Sequence, residues 1–230
     1  MSESKGDRIY EQLKADILAG ALRPGESLSA LGIADRFDAS RTPVRQAFLR
    51  LEAEGLVSLI DRQGARVAPI SIQTVRDLFE LRILLESTAA AMVAASAART
   101  PAIARDFQAI HDELDTLADQ PASEERRTRF YELAEAFDRA VIAHTRNRQL
   151  AQAVDDVRPH SARLRSIAHT SPSRLETSLR EHQQMCRAII DADSDAASAV
   201  VTEHLNRTQQ TILDAVLDPA ADVAIDLVRT

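Results

Sequence analysis

The chain has 230 residues, of which 45% are hydrophobic and 3% aromatic, and a formal net charge of −7. This apolar content is enough for a folded core and excludes global disorder. Its single cysteine, Cys186, excludes an intramolecular disulfide framework. Because no apolar run approaches the roughly 18 residues that a membrane span needs, we expect a cytoplasmic protein with no membrane partner.

The acidic charge is unevenly distributed along the chain. Residues 1–69 carry ten Lys or Arg and ten Asp or Glu, whereas residues 70–230 carry eighteen and twenty-five. Within residues 40–69, five arginines outnumber three acidic residues. Since phosphate attraction acts locally at physiological ionic strength, the net charge does not exclude nucleic-acid binding by the first part.

The first 69 residues show helical periodicity and then β-prone runs around a turn. Gly20 is placed to end the first helix, and Ser40 to cap the third, with Pro43 in its first turn. The predicted elements are helices over 6–19, Ser29–Phe37 and Ser40–Gly55, and β-runs over 56–60 and 65–69 around the turn 61–64. Residues 1–69 are therefore predicted to form a winged helix-turn-helix.

The remainder of the chain, residues 70–230, shows only long helical patterns. Their breaks coincide with Pro101, the stretch 120–123 and Pro172,. Six helices are predicted, over about 71–97, 101–118, 124–146, 148–168, 173–192 and 195–216. With short connections they make an antiparallel all-helical bundle, so the whole fold is mostly α. The sequence pattern does not indicate where residues 218–230 lie in the fold.

The start of the third helix carries the candidate nucleic-acid contacts. Arg41 and Arg45 are spaced i, i+4 and project away from the core face of Val44 and Phe48, as base-reading side chains of a recognition helix do. Serine and threonine hydroxyls can hold phosphate beside them. The alternative is a solvated basic face on a generic three-helix domain. The candidate DNA contacts, the wing turn included, are Ser40, Arg41, Thr42, Arg45, Arg62 and Gly64.

The sequence from Pro24 to Val67 closely resembles the DNA-binding domain of the GntR family of bacterial transcription regulators. The most specific stretch is Ser40-Arg41-Thr42-Pro43-Val44-Arg45, followed by Leu51-Glu52-Ala53-Glu54-Gly55-Leu56-Val57. The resemblance covers about residues 8–69 and implies operator contacts by Ser40, Arg41 and Arg45, with Gly64 at the wing. Two positions depart from the family pattern. Leu31 replaces a residue that is usually charged or polar, and Asp38 replaces a turn glycine.

Residues 72–216 resemble the FCD effector domain of FadR-like GntR regulators. The resemblance rests on the segment 77–82 with Leu85-Glu86, the helix end from Phe137 to Asn147, Glu181-His182, and His204-Leu205. It implies a homodimeric, ligand-responsive regulator, more often a repressor, whose operator binding responds to a small carboxylate effector.

Two histidines are candidates for the effector site on geometry alone. His182 and His204 lie on consecutive predicted helices, equidistant from the intervening turn, so an antiparallel hairpin places them side by side. That arrangement suits a divalent metal, although two unrelated histidines would give the same spacing.

The resemblance also implies a metal, bound by an Asp-x-x-x-His pair and two later histidines. His182 and His204 match the later two, but Ala134 and Asp138 stand at the first pair. Asp138, His182 and His204 would then hold one divalent ion of the Zn, Ni or Mn type. The alternative is a polar pocket that has lost the metal.

Arg82 completes the predicted effector set with Asp138, His182 and His204. Leu78, Leu81 and Leu85 surround it on one helix face, so a buried ion pair with Glu86 is the simpler interpretation. The resemblance favours an arginine that anchors the effector carboxylate, and both roles can hold together.

Enzymatic activity is disfavoured because the chain contains no nucleophile elbow, phosphate-binding glycine loop or His-Glu-x-x-His motif. The third alternative is a DNA-binding protein that senses no ligand. This alternative is disfavoured because such a protein would not need a helical part more than twice the size of its DNA-binding part.

Overall fold

The computed structural model describes residues 4–61, 63–69, 71–168 and 172–217, and these residues are mostly helical. The first elements are α1 (Lys5–Leu18), β1 (Ser27–Ser29), α2 (Ala30–Arg36), α3 (Arg41–Ala53), β2 (Val57–Ile60) and β3 (Gly64–Val67). The helices α4 (Ile72–Ala97), α5 (Pro101–Ala118), α6 (Glu124–His144), α7 (Arg148–Ala168), α8 (Pro172–Ile190) and α9 (Ser194–Leu217) follow. The predicted winged helix-turn-helix and six-helix architecture is confirmed.

The chain divides into two compact units. Of the residues described above, the first unit contains those up to Val75 together with 159–166 and 213–217, and the second, called the helical unit below, contains those within 76–158 and 167–212. None of the helices, within the ranges described above, is long and apolar enough to span a membrane.

The N-terminal helices form because their apolar residues share one face and their ends are satisfied. Ser4 and Asp7 make a reciprocal capping box at the start of α1, which satisfies two helix-end amides. Leu13 and Ile17 of α1 are fully buried, and so are Val44 and Leu51 of α3. The core made by α1 and α3 therefore leaves the opposite face of α3 open to solvent.

The wing is a three-stranded antiparallel sheet in the order β1-β3-β2. The predicted hairpin is confirmed as β2 and β3, with Ser58 opposite Arg66. Strand β1, which pairs Leu28 with Ala65, was not predicted. Three residues are too few for an alternating pattern to be visible, and the pairing joins positions far apart in sequence.

The turn between α2 and α3 contains a residue in the left-handed region, Asp38. Asp38 has a φ of 46°, a conformation that asparagine and aspartate tolerate better than most other non-glycine residues. The departure from the family's glycine therefore keeps the turn geometry.

The helical unit packs α5 against both α6 and α8, and α6 against α8. Phe107 and Phe137 meet edge to face at 5.5 Å between ring centroids. Cys186 is fully buried, and burial raises the pKa of its thiol to about 12. Burial and a raised pKa both disfavour the thiolate form, so this thiol contributes to the packing of the core. The six helices begin and end within two residues of their predicted bounds.

Candidate functional site

The start of α3 presents exposed polar groups on the side opposite the core. Ser40 occupies the N-cap position but its side chain makes no capping hydrogen bond. The N-cap position of Ser40 was therefore predicted correctly, but the side-chain hydrogen bond expected of a capping serine is not made. Ser40, Arg41, Thr42 and Arg45 are all exposed. Hydroxyl and amide donors at a helix N-terminus are suited to phosphate oxygens.

The guanidinium groups of Arg41 and Arg45 differ from those of their neighbours. Arg36 bonds Asp16 at 2.9 Å, and Arg50 bonds Asp7 at 2.7 Å and lies over the Tyr10 ring. Across the described ranges, no ion pair or hydrogen bond of the Arg41 or Arg45 side chain is found. Both side chains therefore keep their full set of donors for a partner outside the chain.

An open cleft of about 750 Å³ lies between the start of α3 and the wing. It is lined by the end of β1, the start of α2, α3, the end of β2 and the wing turn, namely Ser29, Ala30, Leu31, Arg41, Arg45, Phe48, Leu59, Ile60, Asp61, Gln63 and Gly64. Three predicted contacts, Arg41, Arg45 and Gly64, thus meet at one surface. Arg62 lies outside the described residues. Gln63 and Leu31 were missed as candidates, although the wing-turn position of Gln63 was a signal for it.

Gly64 has a structural reason for lacking a side chain. Its φ is +136°, and a Cβ there would lie 2.0 Å from the carbonyl oxygen of Leu28 in β1. The missing side chain therefore makes room for this strand of the wing, and the predicted contact of Gly64 with DNA stays a prediction.

In the helical unit, His182 and His204 lie side by side as predicted from their spacing. Their ring centroids are 4.9 Å apart and nearly perpendicular. Nδ1 of His182 lies 2.8 Å from the carbonyl oxygen of Ser178, and Phe130 and Phe137 meet its ring edge to face. The hairpin geometry therefore brings these two imidazoles together.

A buried ionic cluster beside the histidines was not predicted. Glu181 Oε2 accepts from His204 Nδ1 at 2.6 Å and from Arg174 at 3.0 Å, and Oε1 accepts from Arg207 at 2.9 Å. Arg174 also donates to Thr208 Oγ1 at 2.7 Å. Glu181 precedes His182 in the sequence stretch that resembles FCD domains, but its partners lie up to 26 residues away.

The cluster holds Glu181 as a carboxylate. Burial would raise its pKa, but the hydrogen bond and charge of His204, the charge of Arg174 and the hydrogen bond from Arg207 lower it from 4.5 to about 2. The carboxylate of Glu181 thus joins Arg174 of α8 to Arg207 of α9.

The donor set does not fit the metal implied by the family resemblance. Ala134 supplies no donor, and Asp138 Oδ2 lies 3.9 Å from Nε of Arg158. Nδ1 of His204 is engaged by Glu181. Over the residues that the structure describes, no three His, Cys, Asp or Glu side chains form a group that could hold a metal ion. Asp138, His182 and His204 are thus not assembled as the predicted three-ligand set.

Arg82 forms the predicted ion pair with Glu86. Its Nε and Nη2 donate to the two carboxylate oxygens at 2.7 and 3.2 Å, and its guanidinium lies 4.9 Å from the Phe79 ring centroid. Within the described part of the chain, neither a hydrogen bond nor a ring contact joins Arg82 to His182 or His204. The structure therefore does not bring the four predicted effector residues into one contact set.

The winged domain with unpaired arginines, followed by a helical domain, defines a DNA-binding transcription regulator. Comparison with known protein families also identifies a DNA-binding transcription regulator. Residues 5–67 match the bacterial regulatory proteins of the gntR family, and residues 77–207 match the FCD domain. The chain belongs to the GntR family, in the FadR-like group that carries an FCD domain.

Similar proteins extend over nearly the full length of the chain. The HTH-type transcriptional repressor RspR of Escherichia coli is 29% identical over 209 residues, which are 89% of this chain and 87% of RspR. The HTH-type transcriptional regulator YdhC of Bacillus subtilis is 28% identical over 206 residues, 86% of this chain and 87% of YdhC. The structure of E. coli McbR/YncC superposes with a TM-score of 0.72 at 19% identity, covering 93% of this chain and 99% of that one. This last likeness supports the fold alone.

Proposed function

We propose that this regulator is a repressor that reads its operator with the start of α3 and releases it when a small carboxylate binds the helical unit. Arg41 and Arg45 would bond base edges in the major groove, while Ser40 and Thr42 hold the backbone phosphates. Arg62 and Gly64 of the wing turn would complete the contacts. The protein would act in the bacterial cytoplasm, where the operator lies.

One observation carries the operator assignment. Arg41 and Arg45 line the same cleft, and neither side chain is held by an ion pair in the described ranges. Arginine is the side chain best suited to bidentate bonding with guanine. The name of RspR, a repressor, supports repression as the direction of control.

The Arg45→Ala substitution tests this assignment. It should weaken specific operator binding by about 1–3 kcal/mol, the value of a bidentate base contact. Arg36→Ala is the matched control, because its guanidinium is already bonded to Asp16. Fluorescence anisotropy with a selected operator measures both. Equal operator affinity of R45A and wild-type protein would refute the assignment.

We infer further that the effector carboxylate is bound by polar and basic side chains in the helical unit. The candidates are His182 and His204, which lie side by side, together with Arg82 and Asp138, which the effector itself would have to bridge to them. The donor set beside the histidines, with Ala134 and an Asp138 close to Arg158, supports binding without a metal. For Arg82 to hold a carboxylate with both donors, Glu86 would have to give up its two hydrogen bonds.

A thermal-shift screen of sugar acids, hydroxy acids, dicarboxylates and amino acids, with and without a chelator, tests the effector proposal. A ligand at about 100 times its Kd adds about 2.7 kcal/mol of stability, or roughly 5–10 °C in Tm for a chain of this size. The shift should survive the chelator and disappear in R82A. Arg139→Ala, which removes an exposed i, i+4 pair with Glu135, should keep it. A shift that requires added divalent metal would contradict the proposal.

A further inference from the structure

An exposed leucine lies beside the two unpaired arginines. Leu31, the second residue of α2, is 53% exposed and lines the same cleft as Arg41 and Arg45. A single exposed leucine is ordinary on a protein surface. The position of Leu31 is informative, because the proposed function places operator DNA at this cleft.

The cleft combines cationic and apolar lining. Leu59 and Ile60 of β2 line it together with Leu31, and Leu59 is also exposed. The major groove of DNA is mixed in the same way: guanine presents acceptors that arginine bonds, and thymine presents a C5-methyl group that only apolar side chains contact favourably. The surface is therefore complementary to a sequence that contains both G·C and A·T pairs.

Leu31 is held in place by the start of its helix. The Ser29 side chain caps α2 by accepting from the amide of Gly32, so the first turn that carries Leu31 is a fixed element. A side chain on a rigid element can discriminate between bases, because its position does not adjust to the wrong one.

We propose that Leu31 contacts the C5-methyl group of a thymine in the operator and is a specificity-determining residue. This chain would thus prefer thymine at one base pair of each half-site.

The experiment deletes the methyl group from the DNA. The operator is selected in vitro with the full chain, and each thymine is then replaced singly by deoxyuridine. Anisotropy titrations compare wild type, Leu31→Ala and Leu49→Ala, the last being a leucine of similar exposure on α3 that does not line the cleft. At one thymine of a half-site, wild type and L49A should lose about fourfold in affinity, the value of one buried methyl group.

L31A should bind the operator with thymine at that position and the operator with deoxyuridine there with equal affinity. The proposal is overturned if L31A shows the same loss as wild type, or if no replacement weakens wild-type binding. Because Leu31 is exposed, L31A should unfold at the wild-type temperature. The inference about Leu31 rests on the proposed function, in which the start of α3 binds the operator. The two proposals are tested separately. Operator binding by R45A tests the proposed function, and the comparison of thymine with deoxyuridine tests the contact of Leu31.

Discussion

Glu181 is a buried carboxylate whose desolvation is offset by three donors. A buried carboxylate is unfavourable unless it is paired and hydrogen-bonded, and here Arg174, His204 and Arg207 all donate to it. The side chain of Arg174 is itself buried. Removing the carboxylate therefore leaves an unpaired cation in the interior, which costs more than the loss of one hydrogen bond.

Glu181→Gln should lower the free energy of unfolding by about 3–5 kcal/mol at pH 7. Because the pKa of Glu181 is lowered from 4.5 to about 2, its ionisation stabilises the fold above pH 4.5 and this contribution is lost as the pH falls toward 2. The difference between wild type and E181Q in urea unfolding should shrink to roughly half or less at pH 3.

The control for this prediction is Glu203→Gln, which removes the other carboxylate that bonds Arg207 but is 59% exposed. Exposed ion pairs contribute about 0–1 kcal/mol, so E203Q should unfold close to wild type at both pH values. A pH-independent difference for E181Q would mean that the carboxylate charge is not what stabilises the cluster.

Residues whose partners are local could be predicted, and those with distant partners could not. Glu86 lies one turn from Arg82, so helical spacing alone predicted their ion pair. The pairing of His182 with His204 followed from hairpin symmetry. Glu181 meets Arg207 only after α8 and α9 pack. The packing angle and side-chain rotamers that decide this contact are not visible in a sequence.

At the scale of elements, the wing depends on one backbone position. Strand β1 lies so close to β3 that Gly64 has no room for a Cβ. The helices were predicted well because each shows its own periodicity over many residues. The strand β1 could not be found, because it exists through pairing with β3.

Gly64→Ala should destabilise the wing by more than about 3 kcal/mol, since a 2.0 Å contact with the Leu28 oxygen forces β1 away from β3. Operator binding should fall with it, because Leu28 leads directly into the start of α2. Gly20→Ala is the control: its φ is also positive, but nothing lies within 4 Å of its Cβ position, so only about 1–2 kcal/mol of backbone strain is expected. Urea unfolding of G64A at the G20A midpoint would contradict this account.

At the scale of the whole molecule, helix α4 is apolar on more than one side. Phe79, Ala89 and Val93 are buried, while Leu81 and Leu84 remain 44% and 64% exposed. A helix that is apolar all round is normally covered on every face. A second copy of this chain is the partner that we expect, since a symmetric operator matches a twofold dimer.

If the expected dimer forms through this face, Leu84→Glu should convert it to a monomer, because a carboxylate placed in an apolar interface loses its hydration without gaining a partner. Light scattering after size exclusion measures the mass directly. Operator affinity should fall by 10²-fold or more, since two linked half-site contacts become one. Leu84→Met, which nearly conserves side-chain volume, should remain dimeric and bind normally. If L84E remains a dimer, the dimer interface lies elsewhere on the chain. If the wild-type protein is a monomer that binds its operator with full affinity, the expected dimer is contradicted.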